Sequence, residues 1–187
     1  NATGSPSANI APNSGFENWT SGNADNWTVD TNIVDTQEST IVYSGSSSCN
    51  LTWTSQDQAT CDYDADLVAI NPSTTYYFAI RVYDNDNAGR ITLKYTWYDS
   101  SQSVINTVWT NLYSSDGASW ELLEDSSDSP SNAAYVSIGV RAYDYGTWDG
   151  DATVYIDEAY IDTVSVSEFF SDSFFLVILP SLFIGAV

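Results

Sequence analysis

The side chains best placed to do chemistry are scarce cations in a very acidic chain. Of 187 residues, 25 are Asp or Glu and only four are basic: Arg81, Arg90, Lys94 and Arg141. Three of the four lie in runs of period-two alternation, each on the face opposite the apolar set. Arg81 alternates with Tyr77 and Tyr83, Lys94 sits between Thr92 and Thr96 with Tyr98 beyond, and Arg141 precedes Tyr143 by two. If these runs share one sheet, its outer face carries Arg81, Lys94 and Arg141 among Tyr77, Tyr83, Tyr98 and Tyr143. Such a face has three readings: a surface of local cation–π and Asp–Arg pairs, a protein interface, or a sugar site where tyrosines stack on rings and long polar side chains bond hydroxyls. Trp109, Trp120 and Trp148, near loops or strand ends, are further platforms or core residues.

Charge and composition remove several classes. A net charge of −21 excludes nucleic acid, whose backbone needs clustered Lys and Arg, and disfavours anionic lipid. There is no His and no Met, so neither a Ser-His-Asp nor a Cys-His engine exists, nor a His-ligated zinc. Carboxylates are abundant, but nothing singles out one raised and one ordinary acid of the kind glycoside hydrolysis uses. The expectation is a protein that is not an enzyme.

The elements that would position these residues are strands. The runs are 76–83, with Phe78, Ile80 and Val82 on one face; 91–98, with Ile91, Leu93, Tyr95 and Trp97; 135–143, with Val136, Ile138, Val140 and Ala142; and 153–157, continuing through Ala159 and Ile161. Between them lie DNDNAG (84–89), DSSQS (99–103), SSDGAS (114–119), DSSDSPSN (125–132) and DYGTWDGD (144–151), all turn chemistry. DNDNAG reads as a hairpin turn rather than a calcium loop, and CDYDAD (61–66) as an oxygen-rich loop. The fold predicted is all-β, a single antiparallel β-sandwich of jelly-roll type spanning 13–167, with an extended arm over 1–12 and an apolar tail over 168–187.

Three segments resemble the jelly-roll carbohydrate-binding modules. NSGFENWTSGNADNWTV is similar to their opening strand through Asn13, Gly15, Phe16, Glu17 and Trp27. VYSGSSSCNLTW resembles a middle segment through Ser44, Gly45, Ser48 and Leu51, and VYIDEAYID the last strand through Ile156, Asp157 and Ile161. The resemblance covers roughly 13–162 in order. It implies a structural calcium held by Glu17 and Asp157 with carbonyls near Gly45, hard oxygen donors of the kind calcium takes. It also implies glycans bound on a concave sheet face.

The chain opens at Asn1 without an initiator Met, read as a mature, exported product whose targeting segment has been removed. Four sequons, at Asn1, Asn18, Asn26 and Asn50, suit a glycosylated extracellular or cell-surface protein. In that compartment Cys49 and Cys61 are expected to pair, which would contribute about 3 kcal/mol. The last 14 residues carry no charge. Phe174, Phe175, Leu176, Val177, Ile178, Leu179, Leu182, Phe183 and Ile184 fit a strand donated to an identical subunit, a membrane anchor interrupted by Pro180, or part of the chain's own core. The leading expectation is a structural or adhesive subunit assembling into a filament or coat; the alternative is a carbohydrate-binding module tethered by its tail.

Overall fold

The computed structural model describes residues 8–146 and 148–163. Asn1 and the C-terminal run from Phe174, with the assembly residues assigned to it, lie outside the described residues. In chain order the strands are β1 (Trp19–Thr20), β2 (Asn23–Ala24), β3 (Trp27–Val29), β4 (Ile33–Glu38), β5 (Ser48–Trp53), β6 (Asp62–Ala65), β7 (Val68–Ala69), β8 (Thr75–Asp84), β9 (Gly89–Tyr98), β10 (Val104–Tyr113), β11 (Trp120–Asp128), β12 (Tyr135–Asp144) and β13 (Ala152–Asp162). One 3-10 turn, Gln58–Thr60, precedes β6.

Two antiparallel sheets form the sandwich. One runs β10-β9-β12-β6-β3, with β7 beside β12; the other runs β11-β8-β13-β5-β4; β1 and β2 make a separate two-stranded ribbon. Alternation does the sorting. Phe78, Ile80 and Val82 of the five-stranded sheet face Ile91, Leu93, Tyr95, Trp97, Val136, Ile138, Val140 and Ala142 of the six-stranded one, and all are buried. Phe78 stacks on Tyr95 with centroids 4.0 Å apart. A second aromatic group, Phe16 with Trp27 at 4.8 Å and Trp27 with Tyr63 at 5.0 Å, closes the end near β3. Burying each such side chain is worth about 1.5–3 kcal/mol, so the long alternating runs hold the fold.

Three expectations change. DNDNAG is not a hairpin turn: β8 and β9 belong to different sheets, so Asp84–Gly89 carries the chain across the sandwich. CDYDAD is not a loop: Asp62–Ala65 is β6, with Tyr63 and Ala65 buried and Asp62 and Asp64 facing out. The expected disulfide is absent: Cys49 and Cys61 are free and buried. Cys49 lies on β5 with its Sγ 3.6 Å from the Tyr63 hydroxyl, while Cys61, at the entry to β6, has its Sγ 3.8 Å from the Ser55 carbonyl. Each thiol has its own environment.

Of the N-terminal arm, residues 9 and 10 run along β13. The Ile10 amide donates to the Ile161 carbonyl at 3.0 Å, and the Asn9 side chain both donates to Ala159 O and accepts from Ile161 N. Among the described residues no helix is long and apolar enough to cross a membrane.

Candidate functional site

The crossing at 84–89 divides the expected Tyr/Arg face in two. Lys94 and Tyr98 (β9) and Arg141 and Tyr143 (β12) lie on the outer face of the six-stranded sheet. Tyr77, Arg81 and Tyr83 (β8) lie on the outer face of the other, so the single seven-residue face does not exist.

On the six-stranded face a charged network spans three strands. Lys94 Nζ lies 2.7 Å from Asp64 Oδ2 and 2.9 Å from Asp62 Oδ2. Arg141 grips Asp62 with both arms of its fork, Nε to Oδ1 at 2.6 Å and a terminal nitrogen to Oδ2 at 2.8 Å. Register explains the convergence: Gly139 on β12 pairs with Lys94 on one side and Asp64 on the other. Having no side chain, Gly139 lets Lys94 reach over it. A Cβ there would stand 2.6 Å from the Tyr63 carbonyl and closer still to Asp64 Oδ1.

Trp109 on the edge strand β10 pairs in register with Lys94. The Arg141 guanidinium stacks on one face of its ring, 3.8 Å from the centroid, with Lys94 Nζ at 5.3 Å. Tyr113 and Tyr143 meet edge-on at 5.2 Å further along the same face. Lys94 is 4% exposed as a residue, whereas the Asp64 side chain is 37% exposed, so the network is fixed from below and open at one acid. Burial pushes the Asp64 carboxyl up against the pull of Lys94, and the bond to Asp62 pushes the Arg141 guanidinium up. A cavity of about 240 Å³ beside β3 and β6 is lined by Thr28, Asp62 and Asp64.

The five-stranded face is mainly aromatic. Trp120 packs on Tyr43 and on Tyr83, each at 5.7 Å, and Tyr83 on Tyr155 at 5.9 Å. Arg81 lies over the Tyr43 ring, 4.6 Å from its centroid. Tyr77 donates to Glu124 and packs edge-on against Tyr160 at 6.0 Å.

Glu17 and Asp157 both engage one loop, residues 43–47. Asp157 Oδ2 accepts from the Tyr43 and Ser44 amides at 3.0 and 3.1 Å, and Oδ1 from the Glu158 amide at 2.8 Å. Glu17 accepts from the Ser46 and Ser47 amides and the Ser46 hydroxyl. These bonds, the Ser46 hydroxyl first, hold the Glu17 carboxyl below its usual range. Burial pushes Asp157 up to about 6 despite its three N–H donors. Both carboxylates are thus bonded to donors of the 43–47 loop or its neighbour Glu158, and the described residues contain no group of three or more His, Cys, Asp or Glu that could hold a metal.

Asn18 and Asn26 are exposed, and Asn50 is half-buried on β5 with its Oδ1 accepting from Thr52. Trp120 opens β11, at a strand end as expected, whereas Trp109 lies inside β10.

No known family profile matches the sequence, and no curated protein matches it. Solved structures do match. TmCBM61 in complex with β-1,4-galactotriose superposes with a TM-score of 0.58 at 17% identity, over 84% of this chain and 100% of that one. The CBM22-1 xylan-binding domain of Paenibacillus barcinonensis Xyn10C gives 0.56 at 14%, over 81% and 92%. The enzymatically active domain of bacteriophage CBA120 tailspike protein 4 gives 0.63 at 11%, but the chain spans only 21% of it. It likewise spans 29% of the Clostridium thermocellum Xyn10B CBM22-1-GH10 protein. The fold is that of the carbohydrate-binding modules. At these identities the likeness concerns fold alone.

Sequence reasoning grouped Lys94, Arg141, Tyr98 and Tyr143 on one face, and assigned Asp62 and Asp64 to an oxygen-rich loop rather than to that face. Their signal was present: acids at alternate positions around Tyr63, the pattern of a strand.

Proposed function

We propose that this chain is a non-catalytic carbohydrate-binding module that takes its ligand across the outer face of the six-stranded sheet. The observation that carries the reading is the combination on one face of an indole, Trp109, with charged hydrogen-bonding groups held in fixed positions by Lys94, Arg141, Asp62 and Asp64. A pyranose has an apolar face that packs on an aromatic ring and hydroxyls that both donate and accept. Asp64, the open acid, accepts from a hydroxyl, and Tyr98, Tyr113 and Tyr143 extend the polar–aromatic surface along the strands.

The fold likeness supports this reading over the filament subunit. The neighbours that this chain covers end to end are binding modules, and their names mention xylan and β-1,4-galactotriose. No described residue favours self-assembly, since the segment expected to drive it lies outside them. An extracellular setting, occupied sequons at Asn18, Asn26 and Asn50, and attachment through the tail belong to the same proposal.

The test is isothermal titration with xylo-, cello- and β-1,4-galacto-oligosaccharides, beside Trp109→Ala. Binding that falls about tenfold or more in the variant, roughly 1.4 kcal/mol, supports the reading. Binding that is equal in both proteins moves the site elsewhere, and silence across a wide glycan panel removes the function.

A further inference from the structure

The five-stranded face holds the one cation that the ion-pair pattern leaves over. Among the described residues, Arg90 pairs with Asp84, Lys94 with Asp62 and Asp64, and Arg141 with Asp62; Arg81 has no carboxylate within ion-pair distance. The structure gives the cause. Asp157 is the cross-strand partner of Arg81, but both its oxygens accept backbone amides, from Tyr43, Ser44 and Glu158. The loop that occupies Asp157 brings Tyr43 instead, whose ring lies along the guanidinium. A stacked guanidinium keeps its in-plane N–H groups for another acceptor.

Arg81 lines a cavity of about 470 Å³ together with Tyr77, Ala79, Leu122 and Tyr160, with Ser44 and Glu158 as further polar lining. The volume is that of a small-ligand site. Its parts call for an amphipathic ring with one carboxylate: apolar edges for the tyrosines and Leu122, hydroxyls for the Glu158 carboxylate, whose Oε1 already accepts from the Ser44 hydroxyl at 2.7 Å, and a planar anion for the bidentate fork of Arg81. We propose that this cavity is a second binding site, specific for a uronic acid residue of an acidic polysaccharide, on the sheet opposite Trp109. The ligand class rests on the carbohydrate-binding reading; the location and charge preference do not.

The net charge of −21 opposes any polyanion at long range, but that repulsion is screened beyond about 8 Å at physiological salt. A fork-to-carboxylate contact in a partly desolvated cleft acts within that distance. Tight binding is therefore expected for short oligouronates and weaker binding for long ones at low salt.

The experiment is titration of the full chain with α-1,4-linked trigalacturonate, its methyl ester, neutral β-1,4-galactotriose, and a Glu-rich peptide. It is repeated for Arg81→Gln, Arg81→Lys and Trp109→Ala. Trigalacturonate binding at least tenfold weaker as the ester and in Arg81→Gln, partly retained in Arg81→Lys and unchanged in Trp109→Ala, supports the second site. Loss in Trp109→Ala instead, or equal binding of acid and ester, overturns it. So does binding of the peptide without the uronate. Binding of the neutral oligosaccharide alone overturns the second site and leaves the proposed function standing; absence of all sugar binding overturns both. Circular dichroism of each variant separates a lost site from a lost fold.

Discussion

Lys94 and Asp64 meet over Gly139, Nζ to Oδ2 at 2.7 Å, although they belong to strands that are not hydrogen-bonded to each other. The contact exists because the residue between them on β12 has no side chain. Three strands are thereby coupled by one charge pair, and the acid stays 37% exposed on the β6 side of it. In carbohydrate-binding terms the glycine shapes the site as much as the residues that would touch a ligand.

Gly139→Ala should therefore be costly on both counts. The new Cβ meets the Tyr63 carbonyl, a backbone atom that cannot swing away, and pushes Asp64 off its place. Overpacking of this kind costs about 1–3 kcal/mol. Urea denaturation should show a lower midpoint with an unchanged slope, and Lys94–Asp64 coupling measured by a double-mutant cycle should fall in the alanine background.

Lys94→Met removes the one cation within ion-pair distance of Asp64 while Asp62 keeps Arg141. Breaking a fully buried pair costs about 3–5 kcal/mol. Asp64 is 37% exposed, so water takes up part of the loss and about 2 kcal/mol is expected. The sign with pH follows. Without Lys94 the folded-state carboxyl of Asp64 rises further above its unfolded value. The variant should regain stability as pH falls towards 4 and lose it as pH rises. A Lys94→Met deficit that stays constant from pH 4 to 8 would contradict this account.

The core was legible because alternation encodes it directly: every inward residue assigned on the runs at 76–83, 91–98 and 135–143 is buried. Sheet membership was not. Asp84–Gly89 has the composition of a hairpin turn, and turn chemistry alone does not distinguish a hairpin from a crossing between sheets. Ser114, which follows β10 and sits at this crossing, tells them apart: its hydroxyl donates to Asp84 and accepts from the Ile91 amide, joining β8 to β9 end to end. That tie spans 30 residues of sequence and has no local signature. The same holds for Asp62, Asp64 and Trp109, whose convergence on Lys94 and Arg141 is a matter of register.

The two thiols give a direct check on a corrected expectation. Cys49 is fully buried and its thiol is pushed well up by burial, and Cys61 is pushed up for the same reason. Both conditions suppress thiolate and hence reactivity. A thiol reagent should label neither residue in the native protein and both after denaturation without reductant. The melting temperature should be the same with and without dithiothreitol. A mass lower by two hydrogens, or labelling that requires reduction, would restore the disulfide.

Asp157 offers the sharpest pH test. Its folded-state value of about 6 lies above the ordinary 3.8 because burial outweighs the three N–H donors. A carboxyl raised on folding binds its proton more tightly in the native state. Its contribution is greatest below 3.8 and is lost as pH rises through about 6. At about 1.4 kcal/mol per unit the whole effect is of order 3 kcal/mol. Asp157→Asn keeps an oxygen for the Tyr43 and Ser44 amides but turns an amide nitrogen towards the Glu158 N–H, a fixed cost of about 1–2 kcal/mol. The variant should thus be less stable than the parent at pH 4. The gap should narrow between pH 4 and 6 as the parent loses its advantage, and stay level from pH 7 to 8. Glu17, held low by Ser46, acts in the opposite direction, its contribution being lost as pH falls below its ordinary 4.5, so it cannot imitate this change. A gap that widens from pH 4 to 6 would mean that the amide donors outweigh burial. In that event the 43–47 loop would be held by a charged Asp157, and acid rather than base would release it.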